Sequence, residues 1–189
     1  PQGGEDFKIG GDFNPLDRRG LSGYGASPDN TELNNPFIQL YRGIERANIC
    51  IKFIPQSDLY NSGSPSEQAT MRKLYGEVLT LRAQFYHELI RNWGDVPAQF
   101  VPASDIPDLY LPKEDRDVIY DKLLEDLELA STLVPWRSES GEEATRITKA
   151  AVKGLTMWLV KYALRRPYSM GALAILVFIL GLSSLRQLP

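Results

Sequence analysis

One amphipathic segment, residues 65–93, constrains the fold of this chain more than any other. Its apolar residues recur every three or four positions, which is the period of a helix with one buried face. The predicted buried face comprises Met71, Leu74, Val78, Leu81, Phe85, Leu89 and Trp93, widened by Tyr75 and Tyr86. A face of this length has to be covered by other helices, so the sequence predicts a helical bundle.

Both ends of this helix are marked in the sequence. Ser64-Pro65-Ser66-Glu67 is typical of a capping box with proline in the first turn. At the other end, Gly94 can adopt the positive φ that ends a helix, and Pro97 cannot continue one. Within the helix, Gly76 costs about 1 kcal/mol relative to alanine, which favours close approach of a neighbouring helix at this position.

Three further helices are predicted around this one. The first begins at Asn34 or Asn35 and ends before Pro55, and a third spans about Glu114 to Val134. Thr148 is a plausible cap for a fourth. The predicted inward residues of the first helix are Phe37, Leu40, Tyr41, Ile44, Ala47, Ile51 and Ile54, and those of the third are Ile119, Leu123, Leu127 and Ala130 with Leu133 or Val134.

The remaining segments are predicted to be irregular. Residues 1–33 are rich in glycine, asparagine, aspartate and proline and have no sustained period. Four prolines between Pro97 and Pro112 exclude regular structure there. Its aromatic residues, Phe100 and Tyr110, are expected to pack on the body, and ligand contact is the alternative for each.

Several polar residues receive structural interpretations. We expect Asn48, beside the buried face of the first helix, to hydrogen-bond to backbone. The acidic run Glu125, Asp126 and Glu128 is interpreted as a solvated face. Cys50 is the one cysteine, so no intrachain disulfide can form, and we expect it to be a buried apolar residue.

Four strings resemble one family. They are LRAQFYHELIRNWGDVP (81–97), LYRGIERANICI (40–51), VIYDKLLEDLELASTLVP (118–135) and TRITKAA (145–151). Residues 34–155 together resemble the SusD/RagB-like proteins. The resemblance implies an all-α fold of TPR-like antiparallel helix pairs with long loops. It also implies an exported lipoprotein that captures glycans or other nutrients at the outer membrane for a SusC-like TonB-dependent transporter, without catalysis. Since the family's anchor cysteine is missing, we expect that the chain has lost its beginning.

A glycan would be held by ring faces that stack on C–H surfaces and by amides and carboxylates that bond hydroxyls. Candidates for this role in the first segment are Tyr24, Asp29 and Asn30. The alternative for each is a solvated loop residue or, for the tyrosine, a ring packed on the body.

The tail, residues 156–189, has a different character. From Met157 onward it carries four basic residues and no acidic one, so the net charge of −3 for the whole chain becomes −7 for residues 1–156. Residues 167–185 form an uncharged segment that is long enough for a transmembrane helix. The basic residues before this segment predict that its N-terminal side is cytoplasmic. The alternative is a buried helix of a globular domain.

The tail resembles the N-terminus of RND-type efflux transporters, with ALRRPY before the apolar run and LRQLP after it. A SusD-like module works outside the cell, so the two halves imply opposite locations. We therefore expect a chimera joined near residues 154–157, and the alternative function is an efflux-transporter fragment fused to unrelated sequence.

The sequence also limits the chemistry. His87 and Glu88 begin an HExxH zinc pattern, but Arg91 stands where the second histidine belongs. No phosphate-binding loop or dinucleotide fingerprint occurs. Any two acidic residues could meet in space as the carboxylate pair of a glycoside hydrolase, but the sequence singles out no such pair, so no metal, cofactor or catalytic residue is predicted. The acidic balance of residues 1–156 disfavours a nucleic-acid partner.

Overall fold

The computed structural model describes residues 27–137 and 146–164, with side chains in the last helix as far as residue 160. The described chain is mostly helical, as predicted. Its helices are α1 (Thr31–Phe53), α2 (Asp58–Asn61), α3 (Pro65–Trp93), α4 (Arg116–Leu133) and α5 (Lys149–Leu164). Two-residue strands β1 (Val96–Pro97) and β2 (Lys113–Glu114) pair antiparallel, and short 3-10 turns occupy Ile54–Gln56 and Ala103–Asp105.

The first helix begins earlier than predicted. The side-chain oxygen of Asn30 accepts a hydrogen bond of 3.0 Å from the backbone N–H of Glu32 and so caps α1, which begins at Thr31, three residues before Asn34. Asparagine satisfies a donor that the first turn of a helix leaves unpaired. Pro36 is therefore inside the helix rather than at its first turn.

The central helix α3 has the predicted bounds, and both of its end signals are confirmed. Ser64 and Glu67 form the reciprocal capping box. At the other end Gly94 has φ of 75°, and its N–H donates to the carbonyl of Ile90. The chain therefore leaves α3 in a direction that a residue with a Cβ would adopt only with strain.

Residue pairings show how the helices are arranged. Phe37 contacts Trp93 and Gly43 faces Phe85, so α1 is antiparallel to α3. A Cβ added to Gly76 would lie 2.7 Å from Cγ2 of Val134, which confirms the predicted close approach and places the end of α4 against α3. The pairings Glu77 with Arg146 and His87 with Trp158 show that α5 runs parallel to α3. Consecutive long helices therefore form the antiparallel pairs that the sequence predicts.

The core lies between α3 and its neighbours. Ile44, Tyr86, Leu89, Ile119, Leu123, Leu127, Val152 and Leu159 are all completely buried. The predicted inward face of α4 is confirmed at Ile119, Leu123, Leu127 and Ala130.

Two predicted core positions are wrong. Leu81 is 41% exposed, because α1, α4 and α5 cover the sides of α3 that carry Leu79, Ala83 and Ile90. Cys50 is exposed, since the inward side of α1 carries Ile44, Ala47 and Asn48 instead.

The predicted membrane span, residues 167–185, lies outside the described residues. Within residues 27–137 and 146–164, no helix combines the length and the apolar character needed to cross a bilayer. The helix α5 runs through the predicted junction, and Val152 before it and Leu159 after it are both buried.

Candidate functional site

The irregular connection between α3 and α4, residues 94–115, is the candidate site. Its ends are tied together, because Val96 is paired with Glu114 and Pro97 with Lys113 in the short antiparallel ladder. The sequence predicted no regular structure in this region, and that prediction is wrong at the four residues of the ladder. The connection is therefore a loop closed at its base.

Two tyrosines of the helices fix the first part of the connection. The hydroxyl of Tyr86 donates to the carbonyl of Gln99 over 2.7 Å and accepts from the N–H of the same residue over 2.6 Å. The hydroxyl of Tyr41 donates to the carbonyl of Pro97 over 2.8 Å. Burial raises the pKa of both phenols, so both stay protonated and able to donate.

Asn48 holds the next residues. Its amide nitrogen donates to the carbonyl oxygens of Gln99 and Val101 over 2.9 and 3.1 Å. The predicted hydrogen bond from Asn48 to backbone is confirmed, and its partner is the connection.

Arg82 is at the centre of this network and is 5% exposed. Its Nη1 donates to Oδ1 of Asn48 over 2.8 Å and to the carbonyl of Phe100 over 3.0 Å. Its Nε and Nη2 donate to the two carboxylate oxygens of Asp126 over 2.8 and 2.7 Å. One buried guanidinium therefore joins α1, α3, α4 and the connection.

Asp126 corrects the interpretation of the acidic run as a solvated face. Glu125 and Glu128 are exposed as predicted, but the side chain of Asp126 is 13% exposed and paired with Arg82. Burial raises the pKa of Asp126, and the positive charge of Arg82 opposes that rise. The bidentate geometry supplies the hydrogen bonds that a buried carboxylate needs.

Phe100 packs into the body, as predicted. Its ring stacks on Tyr86 with centroids 5.0 Å apart and planes 15° apart, and the guanidinium of Arg82 lies 5.1 Å from its centroid. The 3-10 turn that follows is held by Glu45, whose carboxylate accepts from the N–H of Ala103 over 3.0 Å. An exposed ion pair of 2.7 Å between Lys52 and Asp105 adds a further link to α1.

The far end of the connection is exposed. Leu109 is 66% exposed and Tyr110 is 94% exposed, so the prediction that Tyr110 packs on the body is wrong. The N–H of Tyr110 donates to Oδ1 of Asp108 over 2.9 Å, which turns the backbone at this point. The connection therefore presents an exposed phenol ring between its two anchored parts, residues 97–105 and the ladder at residues 113–114.

The three ligand-binding candidates from the sequence fall in different places. Tyr24 lies outside the described residues. Asp29 is exposed just before α1, whereas Asn30 is 3% exposed and caps that helix. The exposed Tyr110 was not among these candidates, and its position between Pro107 and Pro112 is the sequence signal that marks it.

Residues 27–137 and 146–164 contain no group of three metal-binding side chains close enough to hold an ion. His87 is 1% exposed beneath the edge of Trp158, with ring centroids 4.9 Å apart, and burial lowers its pKa. It packs between helices rather than lying on an open helix face.

A groove of about 490 Å³ lies between the first half of α3 and the end of α4. Its lining includes Ser66, Thr70, Arg72, Lys73, Thr132 and Leu133. None of the described residues that line it carries an aromatic ring, so they offer a sugar no stacking surface, and the connection is the better candidate.

Comparisons with known proteins identify the scaffold. Residues 22–157 match the model of the SusD-like family described as starch-binding and associating with the outer membrane. No curated protein matches the chain.

Solved structures share the fold. A SusD homolog from Bacteroides thetaiotaomicron has a TM-score of 0.69 at 22% identity, over 80% of this chain and 29% of its own. A laminarin-binding SusD-like protein has a TM-score of 0.65 at 21% identity, over 82% of this chain and 32% of its own. Surface glycan-binding protein A from Bacteroides uniformis has a TM-score of 0.64 at 20% identity, over 87% of this chain and 35% of its own. The chain therefore spans about a third of the length of these three proteins.

Proposed function

Because the chain belongs to the SusD-like family, we propose that it is part of a surface protein that binds a glycan or a related nutrient at the outer membrane and passes it to a SusC-like TonB-dependent transporter. The observation that carries the binding proposal is the exposed ring of Tyr110 on an anchored loop. The similarity in fold to a protein that binds laminarin supports a polysaccharide as the ligand.

The anchoring of the connection favours binding. Because both ends of the segment that carries Tyr110 are held by the body, ordering this segment around a ligand costs less conformational entropy than ordering a free loop. In this proposal the ring of Tyr110 stacks on the C–H face of a sugar. The carboxylate of Asp108, beside it, accepts hydrogen bonds from sugar hydroxyls. Tyr24, Asp29 and Asn30 are further proposed contacts, although Asn30 would have to share the oxygen that caps α1.

The binding test uses the full chain and a panel of polysaccharides that includes laminarin, xyloglucan and starch. Retardation in affinity gels identifies a ligand, and calorimetry gives its Kd. We expect Tyr110→Ala to weaken binding about tenfold, as the loss of about 1.4 kcal/mol would. Phe53→Ala is the matched control, because Phe53 is an exposed ring on α1, outside the connection.

If Tyr110→Ala binds the polysaccharide as tightly as the native chain, the connection is not part of the binding site. If no polysaccharide in the panel binds the folded chain, the glycan proposal itself is wrong. The same reactions, analysed for released sugars, test the proposal that the protein binds without hydrolysis.

A second proposal concerns the tail. The family match ends at residue 157, where the similarity to RND-type transporters begins. This coincidence supports a chain composed of two unrelated parts, of which the second would insert into the inner membrane. Long-read sequencing across the codons for residues 150–160 tests it, and uninterrupted reads in many independent molecules would argue against an assembly error.

A further inference from the structure

One side of α1 carries a row of polar side chains that holds the first part of the connection. Tyr41, Glu45, Asn48 and Lys52 follow one another at intervals of four, three and four residues, which places them on one side of a helix. Their partners are, in order, the carbonyl of Pro97, the N–H of Ala103, the carbonyls of Gln99 and Val101, and the carboxylate of Asp105. Residues 97–105 therefore lie along α1 in a fixed register.

Asn48 can hold the connection in only one of the two orientations of its amide. The nitrogen, which donates, has to face the carbonyls of Gln99 and Val101, so the oxygen has to point away from them. A guanidinium can only donate, so the bond of 2.8 Å from Nη1 of Arg82 to Oδ1 of Asn48 is compatible with this orientation alone. Arg82 thus selects the orientation in which Asn48 bonds the connection.

Asp126 in turn fixes Arg82. Its two carboxylate oxygens accept from Nε and Nη2 over 2.8 and 2.7 Å. The N–H groups of a guanidinium lie in one rigid plane, so this pair also sets the direction of Nη1. Within the part of the chain that the structure describes, the carboxylate accepts hydrogen bonds from Arg82 alone, so its influence on the connection passes through that guanidinium.

We propose that Asp126 is a positioning residue of the binding loop, which acts through Arg82 and Asn48 to fix residues 97–105. We call these three residues the relay. The segment that carries Tyr110 begins directly after residues 97–105 and ends at the ladder, so its placement depends on how firmly those residues are held. If they were loose, the ring would sample more positions, and ordering it on a ligand would cost more conformational entropy.

The part of this inference that concerns a ligand rests on the proposed function, whereas the part that concerns residues 97–105 does not. A carboxylate that served only as a counter-charge would stabilise the whole fold, and its loss would loosen the connection no more than the helices. The amides of Gln99 and Ala103 distinguish the two roles. They donate to the hydroxyl of Tyr86 and to the carboxylate of Glu45, which are outside the relay.

The experiment measures hydrogen exchange of the full chain without ligand. Asp126→Asn keeps the shape of the side chain and removes its charge and one acceptor oxygen. We expect the amides of Gln99 and Ala103 to exchange about tenfold faster than in the native chain, which corresponds to about one net hydrogen bond. The amides in the middle of α3 should change less. Asn48→Ala, which removes the direct bonds to the connection, should give the same pattern.

Two control variants separate positioning from stability and from charge. Gly76→Ala disturbs the contact between α3 and α4 outside the relay, so it should raise exchange in the helices and the connection alike. Glu125→Gln removes an exposed charge next to Asp126 and should leave exchange unchanged. If Asp126→Asn does not fold, Arg82→Lys takes its place, because an ammonium keeps the charge but lacks the planar fork that directs an N–H to Asn48.

Binding supplies the second measurement. For a polysaccharide that binds the native chain, we expect Asp126→Asn to raise the Kd about fivefold, as ordering one further side chain would. Gly76→Ala and Glu125→Gln should leave the Kd unchanged at a temperature where circular dichroism shows all the proteins to be folded.

Two results would overturn the proposal. If exchange in Asp126→Asn rises uniformly along the chain, or does not rise, Asp126 does not position the connection. If exchange rises in the connection while the Kd stays unchanged, residues 97–105 do not position the groups that contact the ligand. A native chain that binds no polysaccharide would instead overturn the proposed function, and the exchange measurement would still decide whether Asp126 holds residues 97–105.

Discussion

The guanidinium of Arg82 and the carboxylate of Asp126 form a bidentate ion pair between α3 and α4, with side chains 6% and 13% exposed. The same guanidinium bonds Asn48 and the carbonyl of Phe100. The contact that joins the two central helices therefore also holds the candidate binding loop.

Removal of Arg82 should be strongly destabilising. Arg82→Ala leaves Asp126 buried without its counter-charge, so we expect a loss of about 3–5 kcal/mol in the free energy of unfolding, measured with urea. Lys52→Ala, which breaks an exposed ion pair to the same connection, should leave the midpoint nearly unchanged. Similar urea midpoints for the two variants would show that the buried ion pair contributes no more to stability than the exposed one.

The hydroxyl of Tyr86 should stabilise the connection. Tyr86→Phe removes both hydrogen bonds to Gln99 and keeps the buried ring, so we expect a cost of about 1–2 kcal/mol in thermal or urea unfolding. Tyr110→Phe is the control. The side chain of Tyr110 is 94% exposed, so loss of its hydroxyl should not change the free energy of unfolding. A cost for both variants would indicate that Tyr110 has contacts in solution that its exposure does not show.

Two glycine substitutions should have opposite effects. Gly76→Ala would push a methyl group to 2.7 Å from Val134 and is expected to cost about 1–3 kcal/mol. A Cβ added at Gly154 would meet no described atom within 4 Å, so Gly154→Ala should stabilise its helix by as much as about 1 kcal/mol. Thermal unfolding of the two variants checks both signs, and a stabilised Gly76→Ala protein would contradict the packing of α4 on α3.

Trp93, at the end of α3, should contribute less to the stability of the fold than the buried Tyr86. Trp93 is half-buried and meets Phe37 edge-on at 5.4 Å, whereas Tyr86 is completely buried. We expect Tyr86→Ala to cost about 3–5 kcal/mol and Trp93→Ala to cost about half as much. The reverse order in urea unfolding would mean that the turn, and not the middle of α3, is the centre of the core.

Stability should fall on mild acidification because of His87. Burial lowers the pKa of this imidazole below its usual 6.5, so the unfolded chain binds the proton more readily than the folded chain. The stabilisation present above pH 6.5 is therefore lost as the pH falls towards the lowered pKa. The urea midpoint of the native protein should drop more between pH 7.5 and 5.5 than that of His87→Leu. Parallel curves for the two proteins would exclude this effect.

The structure shows which sequence signals were sufficient. The bounds of α3, its capping box and the contact at Gly76 were predicted correctly, because each depends on local spacing or on the absence of one side chain. The role of Asn30 as a cap was missed, since a polar residue after a loop is equally compatible with ligand binding. The acidic run favours a solvated position for Asp126, because its neighbours Glu125 and Glu128 do face solvent, and only the packing of α4 on α3 turns Asp126 towards Arg82.

The sequence by itself determined the long helices and the ends of α3, since helical period and capping are properties of residues a few positions apart, and four of its strings carry the resemblance to the family. Tertiary structure decided the rest. Arg82 and Asp126 are 44 residues apart in the chain, and Asn48 and Gln99 are 51 apart. No local pattern specifies such pairs, because they form only when the helices pack. The same packing covers Phe100 in part and leaves Tyr110 exposed, and so it selects which ring of the connection is available to a ligand.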